Sequence, residues 1–436
     1  MVATSATTPM LTPQRVRPRT ARDMVAVNIG NAIEWFDWNV YAIFTPFFAA
    51  QIFRAQDPVS ATLSTLAIFA VGFLMRPIGG WVFGLIADRK GRRFSLTLAI
   101  MLAAVGSLMI AVAPTFNQAG VWASVVLLLA RLVQGFSHGG ETGSAFTYLA
   151  EIAPHNKRGL WASTPWIGVA LGTMLATGFG VLLTSVLDKQ QMSEFGWRIP
   201  FVMGAVLGLY GLFLRFRMAE SEVYEANKEE DGHSQSLRDT WRVLVENRRA
   251  VLNIAILSSS GVVIFYTWFI FAPSYATTVY GVPASQALLA GLAGQAVFLL
   301  AIPIAGAISD RVGRRPMVIA YTLGFAILAF PLEWILGPSA LRVFLAMALA
   351  SLILATCCAP LGAIFTELVP TRIRATVVGM TYGGFSAIFG GTAPYLNTWL
   401  SSIGLHAVFV CFAIVLCMLT LIVCLRLPET RGMKME

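Results

Sequence analysis

Long apolar stretches, each broken by a short charged segment, recur along almost the whole chain. They fall at roughly 24–50, 60–87, 94–114, 120–150, 159–186, 197–216, 251–279, 284–309, 317–336, 341–366, 375–400 and 404–426. A helix of about 20 apolar residues spans the roughly 30 Å hydrocarbon core of a bilayer. Helices satisfy every backbone group within each span, so the pattern predicts twelve transmembrane helices. It breaks once, from Arg217 to Arg249, where charged residues dominate, including Glu229, Glu230 and Asp231. The chain therefore reads as an all-α membrane protein of two six-helix bundles. The expected parts are a polar N-terminal tail at 1–23, a first bundle at 24–216, a linker at 217–250, a second bundle at 251–427 and a tail at 428–436.

The two bundles carry one ten-residue string each. The first is G-L-I-A-D-R-K-G-R-R, from Gly84 to Arg93, and the second is G-A-I-S-D-R-V-G-R-R, from Gly306 to Arg315. A second pair follows the same offset: Glu151, Pro154 and Arg158 recur as Glu367, Pro370 and Arg374. Two copies of one ancestral unit in a very apolar chain suggest a transporter whose halves rock about a central site.

Composition sharpens this picture. The chain is 57% hydrophobic and only 12% charged, against about 25% charged residues in a soluble globule. Its net charge of +9 could suggest nucleic acid until the charges are placed on the spans. Of the 31 Lys and Arg residues, twenty-five fall in loops on one side and four in loops on the other. That skew is the positive-inside signature and predicts cytoplasmic termini and linker. No nucleic-acid partner is expected; the expected partners are lipid, protons and a small molecule, with the chain acting as a monomer. The five cysteines sit in apolar spans without metal spacing and read as small hydrophobes. The first 23 residues lack the apolar core of a secretory signal.

Ionisable residues inside the spans are the candidate chemistry. Each costs roughly 2.5–3.5 kcal/mol at mid-membrane, and Glu34, Asp37, Arg76, Arg131 and Glu141 all lie in the first half. Glu34 and Asp37 are three residues apart, so they share a helix face, which Tyr41 extends. Two neighbouring carboxylates in a low dielectric repel, and one that holds a proton near neutral pH suits proton coupling. The alternative is permanent pairing with arginine. In span 4, Arg131, Gln134, His138 and Glu141 form one polar stripe, with Arg131 the natural partner of Asp37. His138 reads as a hydrogen-bonded neutral group, or as a second titrating one. Arg76, before Pro77, could clamp a carboxylate bidentately or pair structurally with Glu34 or Glu141.

In the repeated string, Gly84 and Gly306 allow close helix contact. Asp88 and Asp310 can face helix N-termini and loop arginines across the seam, and Arg92 and Arg314 can pair with acids on the same side; Glu151 and Glu367 are counted with this cluster. Such a cluster would act as a gate. Aromatic residues in spans 1, 5 and 7, including Trp166 and Tyr266, serve as packing, as interfacial anchors or as a cage for a quaternary ammonium. No nucleotide-binding loop, dinucleotide fingerprint or His/Cys metal pair occurs. The chain does not read as an enzyme and needs no cofactor or metal; an existing ion gradient would supply the work.

These residues resemble the major facilitator superfamily, whose loop signature G-x-x-x-D-R/K-x-G-R-R/K is met twice in full. G-N-x-x-E-W-F-D in span 1, G-F-L-M-R-P-I-G-G-W in span 2, R-L-V-Q-G-F-S-x-G-G-E in span 4, G-W-R-I-P at 196–200 and I-F-G-G-T-A-P at 388–394 are similar to the metabolite:proton symporter family. Its members include permeases for α-ketoglutarate, citrate, shikimate, and proline or betaine. The resemblance implies a bacterial inner-membrane importer, working by proton symport and alternating access. It implies Asp37 and Arg131 as the coupling pair; on the reading of the residues, Asp37 or Glu34 takes the coupled proton. Substrate contacts are expected from Arg76, Arg131, Tyr41, Gln134, Trp166 and Tyr266. The favoured substrate is a dicarboxylate such as α-ketoglutarate. The alternatives are a zwitterionic osmolyte, proline or betaine, or drug/proton antiport. Two departures from the family stand out: His138, where relatives often carry a small or aliphatic residue, and W-A-S-T-P-W-I-G-V-A in span 5.

Overall fold

The computed structural model describes residues 21–54, 58–90, 92–139, 149, 153–216 and 237–433. Glu141, Glu151 and most of the stretch expected as linker lie outside the described residues. Twelve helical segments follow the twelve apolar stretches: α1 Ala21–Ile52, α2 Pro58–Lys90, α3 Arg92–Ala111, α4 Val121–His138, α5 Arg158–Val186, α6 Ile199–Phe216, α7 Arg248–Tyr280, α8 Ala284–Val312, α9 Arg314–Ile335, α10 Ala340–Leu368, α11 Thr371–Ser402 and α12 His406–Arg426. Eight of them are long and apolar enough to cross a membrane on those grounds alone. Among the others, α1 carries Asn28, Asn31, Glu34, Asp37 and Asn39, and α11 is rich in glycine and hydroxyl residues. The apolar parts of α3 and α6 are short, at Thr97–Ala111 and Gly196–Leu212. A further short helix, Leu237–Glu246, precedes α7 and rests Val243 and Leu244 on the core.

Within the first half α1 packs on α5, α2 on α4, and α3 on α4 and α6; in the second, α8 packs on α10, and α9 on α10 and α12. The halves meet along two seams, α5 against α8 and α2 against α11. A shift of six helices turns one seam into the other, as an internal repeat requires.

Glycines set how closely the helices approach. A β-carbon on Gly135 of α4 would lie 1.8 Å from the Gly72 carbonyl oxygen of α2, and one on Gly79 would lie 1.8 Å from that of Phe136. On the α1–α5 contact, a β-carbon on Gly172 would meet the Ala32 carbonyl at 2.2 Å. These glycines are packing surfaces. Gly178, by contrast, faces open space. Gly135→Ala should force α2 and α4 apart at a cost of roughly 3 kcal/mol or more, read as loss of monodisperse protein in detergent. Gly178→Ala should elute as wild type. Equal behaviour of the two variants would contradict this packing.

Two stretches depart from α geometry. Phe265–Phe271 in α7 and Ser386–Gly390 in α11 are π-helical, and both lie in the second half. A π turn adds a residue to the helical repeat and re-aims the side chains around it, often at functional sites.

Candidate functional site

One cavity lies within the second half between α7, α9 and α12. Another lies where the halves meet. The latter is the candidate site, because it combines contributions from both halves with a buried charge. Its walls are Trp35 of α1, Phe73 and Arg76 of α2, Trp166 of α5, Val262, Phe265 and Tyr266 of α7, and Tyr382 and Ser386 of α11. Both π-helical stretches deliver residues to it.

Arg76 dominates its electrostatics. The side chain is buried, and its guanidinium carbon lies 3.9 Å from the Trp38 ring centroid and 4.4 Å from that of Phe73. Among the described residues it forms neither an ion pair nor a hydrogen bond, and its Nε is unsatisfied. Aromatic faces stabilise a desolvated cation by about 2 kcal/mol or more, far less than a carboxylate would. The Tyr266 hydroxyl is buried beside the Trp38 indole N–H, and the Ser386 hydroxyl beside Tyr382. Arg76, Tyr266 and Ser386 bring polar groups to an otherwise aromatic wall, as a site for a polar ligand requires.

Behind Trp38 lies a second, sealed network. The Arg131 guanidinium is fully buried, 3.9 Å from the Trp38 ring and 4.3 Å from that of Tyr41. The sequence expectation that it pairs with Asp37 is corrected by the structure: Gln134 stands between them. Arg131 Nη1 donates to Gln134 Oε1 at 2.8 Å, and Gln134 Nε2 donates to Asp37 Oδ2 at 3.0 Å and to Ser107 Oγ at 2.8 Å. Ser107 donates in turn to Asp37 Oδ1. One turn of α4 beyond Gln134, His138 places Nδ1 2.9 Å from Glu34 Oε1 and Nε2 3.6 Å from Asp37 Oδ2.

The residues expected to contact substrate thus divide. Arg76, Trp166 and Tyr266 line the cleft. Arg131, Gln134 and Tyr41 do not: Arg131 and Gln134 are bound into the sealed network, and the Tyr41 hydroxyl donates to the Thr65 carbonyl at 2.9 Å. The physical reason is Trp38, whose ring screens α4 from the opening. Arg76 pairs with neither Glu34 nor any other described acid; Glu141, the other partner expected for it, lies outside the described residues. Sequence reasoning missed Ser107 and Ser386, which are single hydroxyls in apolar or glycine-rich stretches and carry no local signal.

The residues expected to form a gate sit at the end of the bundles that bears the repeated string. Asp310 accepts from the Gly159 and Leu160 amides, at 2.7 and 2.9 Å, at the N-terminus of α5 in the other half. Arg314 holds Asp310 at 2.8 Å and lies 3.6 Å from Glu367. Arg158 donates to Glu367 at 3.0 Å across the seam. A β-carbon on Gly306 would lie 2.6 Å from Ser163 Oγ, which explains that glycine. The C-terminal segment covers this cluster: Thr430 donates to Glu367, and Glu429 accepts from the Arg314 and Arg315 amides. The side chains of Gly84, Asp88 and Arg92, and Glu151 entirely, lie outside the described residues. Beyond the cleft, towards the other end, Phe271 meets Phe69 and Leu288 packs on Gly180.

Comparison with known proteins gives the family. The family model for sugar (and other) transporters matches residues 24–436. The α-ketoglutarate permease of Escherichia coli K12 is 36% identical over 94% of this chain and 95% of its own length. A putative proline/betaine transporter of Staphylococcus haemolyticus is 35% identical over 88% of this chain and 82% of its own. The solved proton:xylose symporter XylE, bound to 6-bromo-6-deoxy-D-glucose, superposes with a TM-score of 0.74 at 19% identity, covering 94% of this chain and 96% of that one. This chain belongs to the sugar (and other) transporter family of the major facilitator superfamily, and is a multi-pass membrane transporter.

Proposed function

We propose that the protein imports a small organic acid across the bacterial inner membrane together with protons, by alternating access, with both termini in the cytoplasm. The observation that carries this reading is the unpaired guanidinium of Arg76 in a cleft between the halves, backed through Trp38 by a buried carboxylate network. Among the described residues the two layers hold two carboxylates, Glu34 and Asp37, and two guanidiniums, Arg76 and Arg131. With His138 neutral these charges balance. Protonating Asp37 removes one negative charge, weakens the Gln134 bond and leaves the guanidiniums in excess. A carboxylate on Arg76 restores the balance. Proton and anion then favour each other's binding, and that coupling is reciprocal by linkage.

α-Ketoglutarate is the favoured substrate, since a similar permease is named for it. A second reading has its own observation. The cleft offers one guanidinium beside Trp35, Trp166, Phe265, Tyr266 and Tyr382. That set suits a zwitterion with its carboxylate on Arg76 and a quaternary ammonium against aromatic faces. Uptake of labelled α-ketoglutarate, proline and betaine into vesicles under an imposed pH gradient separates the two. Competition by unlabelled dicarboxylates, and none by betaine, supports the first. Transport of none of the three, or accumulation without a gradient, would overturn the proposal.

The cluster around Asp310 acts as the cytoplasmic gate in this reading. A charge-assisted hydrogen bond is worth about 1.5–3 kcal/mol. Asp310→Asn should therefore shift the open-to-closed ratio at this end by roughly thirtyfold, about 2 kcal/mol. A cysteine introduced at Ser163, buried beneath the cluster, should then react faster with an impermeant thiol reagent in inside-out vesicles. An unchanged labelling rate would leave Asp310 without a gating role.

A further inference from the structure

His138 joins both carboxylates of the proposed coupling site. Its Nδ1 lies 2.9 Å from Glu34 Oε1 and its Nε2 3.6 Å from Asp37 Oδ2. The imidazole is sealed, with 2% of its side chain exposed, whereas Glu34 keeps 12% and Asp37 7%. Asp37 is otherwise held by Ser107 and Gln134, which do not titrate. The imidazole is the described titratable group that touches both carboxylates.

We infer that His138 relays the coupled proton between Glu34, the more exposed of the two carboxylates, and Asp37. This rests on the proton-symport reading above. The step balances as follows. Protonated Glu34 gives its proton to Nδ1 of an imidazole that carries its hydrogen on Nε2. The Nε2–H bond then breaks and that proton passes to Asp37 Oδ2, a contact that closes by a few tenths of an ångström. The imidazole ends neutral, with its hydrogen on Nδ1. Release along the reverse path restores the first tautomer. Glu34 and Asp37 face the imidazole from α1 and Arg76 faces it from α2. Trp38 meets it edge-on at 5.2 Å. His138 also has an interaction beyond these.

The test uses full-length protein in proteoliposomes and radiolabelled α-ketoglutarate or betaine, whichever the wild type accumulates. His138→Gln keeps a hydrogen-bonding side chain that cannot carry a proton. Under one pH unit of gradient, which supports about tenfold accumulation per proton, its internal concentration should reach only the external one. Counterflow exchange, which needs no net proton movement, should persist at a measurable rate. Wild-type accumulation by His138→Gln, or loss of counterflow together with accumulation, would overturn the relay. Asp37→Asn in parallel separates the two levels: if it too accumulates substrate, the symport reading fails, and not the relay alone. Should His138→Gln fail to reach the membrane, ¹⁵N-histidine NMR with His155, His233 and His406 replaced by Gln reads His138 directly. Its tautomer should respond to Asp37→Asn; an imidazole that keeps one tautomer and one protonation state between about pH 5 and 9 in both proteins overturns the relay.

Discussion

Arg76→Lys should weaken substrate binding roughly ten- to a hundredfold while leaving the protein folded in the membrane. The guanidinium is held flat on Trp38 and Phe73, with unused donors towards the cleft. A carboxylate docked there takes two parallel N–H bonds, a geometry lysine does not reproduce. Losing one charge-assisted bond and the stacking costs on the order of 1.5–3 kcal/mol. Because Arg76 supports no described ion pair, folding has little to lose, and the aliphatic stem of lysine still fills the space. Equilibrium binding of labelled substrate to purified protein, beside size-exclusion profiles, reads both quantities. Unchanged affinity with poor folding would return Arg76 to a structural role.

Asp37→Asn should abolish gradient-driven accumulation while exchange continues. Asparagine fills the same volume; its Oδ1 can accept from Gln134 while its Nδ2 donates to the Ser107 hydroxyl, so the network around Arg131 can close. It cannot exchange a proton. One pH unit of driving force is worth about 1.4 kcal/mol, a tenfold concentration ratio per proton; the variant should hold that ratio at one. Accumulation equal to wild type would remove Asp37 from the coupling step.

Much of the architecture was legible in the sequence because lipid imposes a simple code. Twelve apolar stretches predict twelve helices, and the duplicated G-x-x-x-D-R-x-G-R-R string predicts their two-fold arrangement. The polar stripe on α4 also predicts which residues turn inward. What spacing does not reveal is what stands between two stripes. Arg131 and Asp37 are complementary charges on facing helices, yet the Gln134 amide bridges them and Trp38 screens them from the cleft. Ser107 looks like any hydroxyl in an apolar helix until the fold sets it against Asp37. His138 has one neighbour on each of two α1 positions, a relation visible only once α1 and α4 are packed. The π-helical turns that aim Tyr266 and Ser386 are products of packing, with no periodicity to announce them.

The coupling of proton to substrate is tested most directly by recording external pH as substrate is added to proteoliposomes that lack any imposed gradient. Substrate entry should draw protons inward, so the outside should become alkaline in proportion to the substrate taken up, and Asp37→Asn should erase the signal. Uptake with no pH change, or with acidification outside, would contradict proton symport.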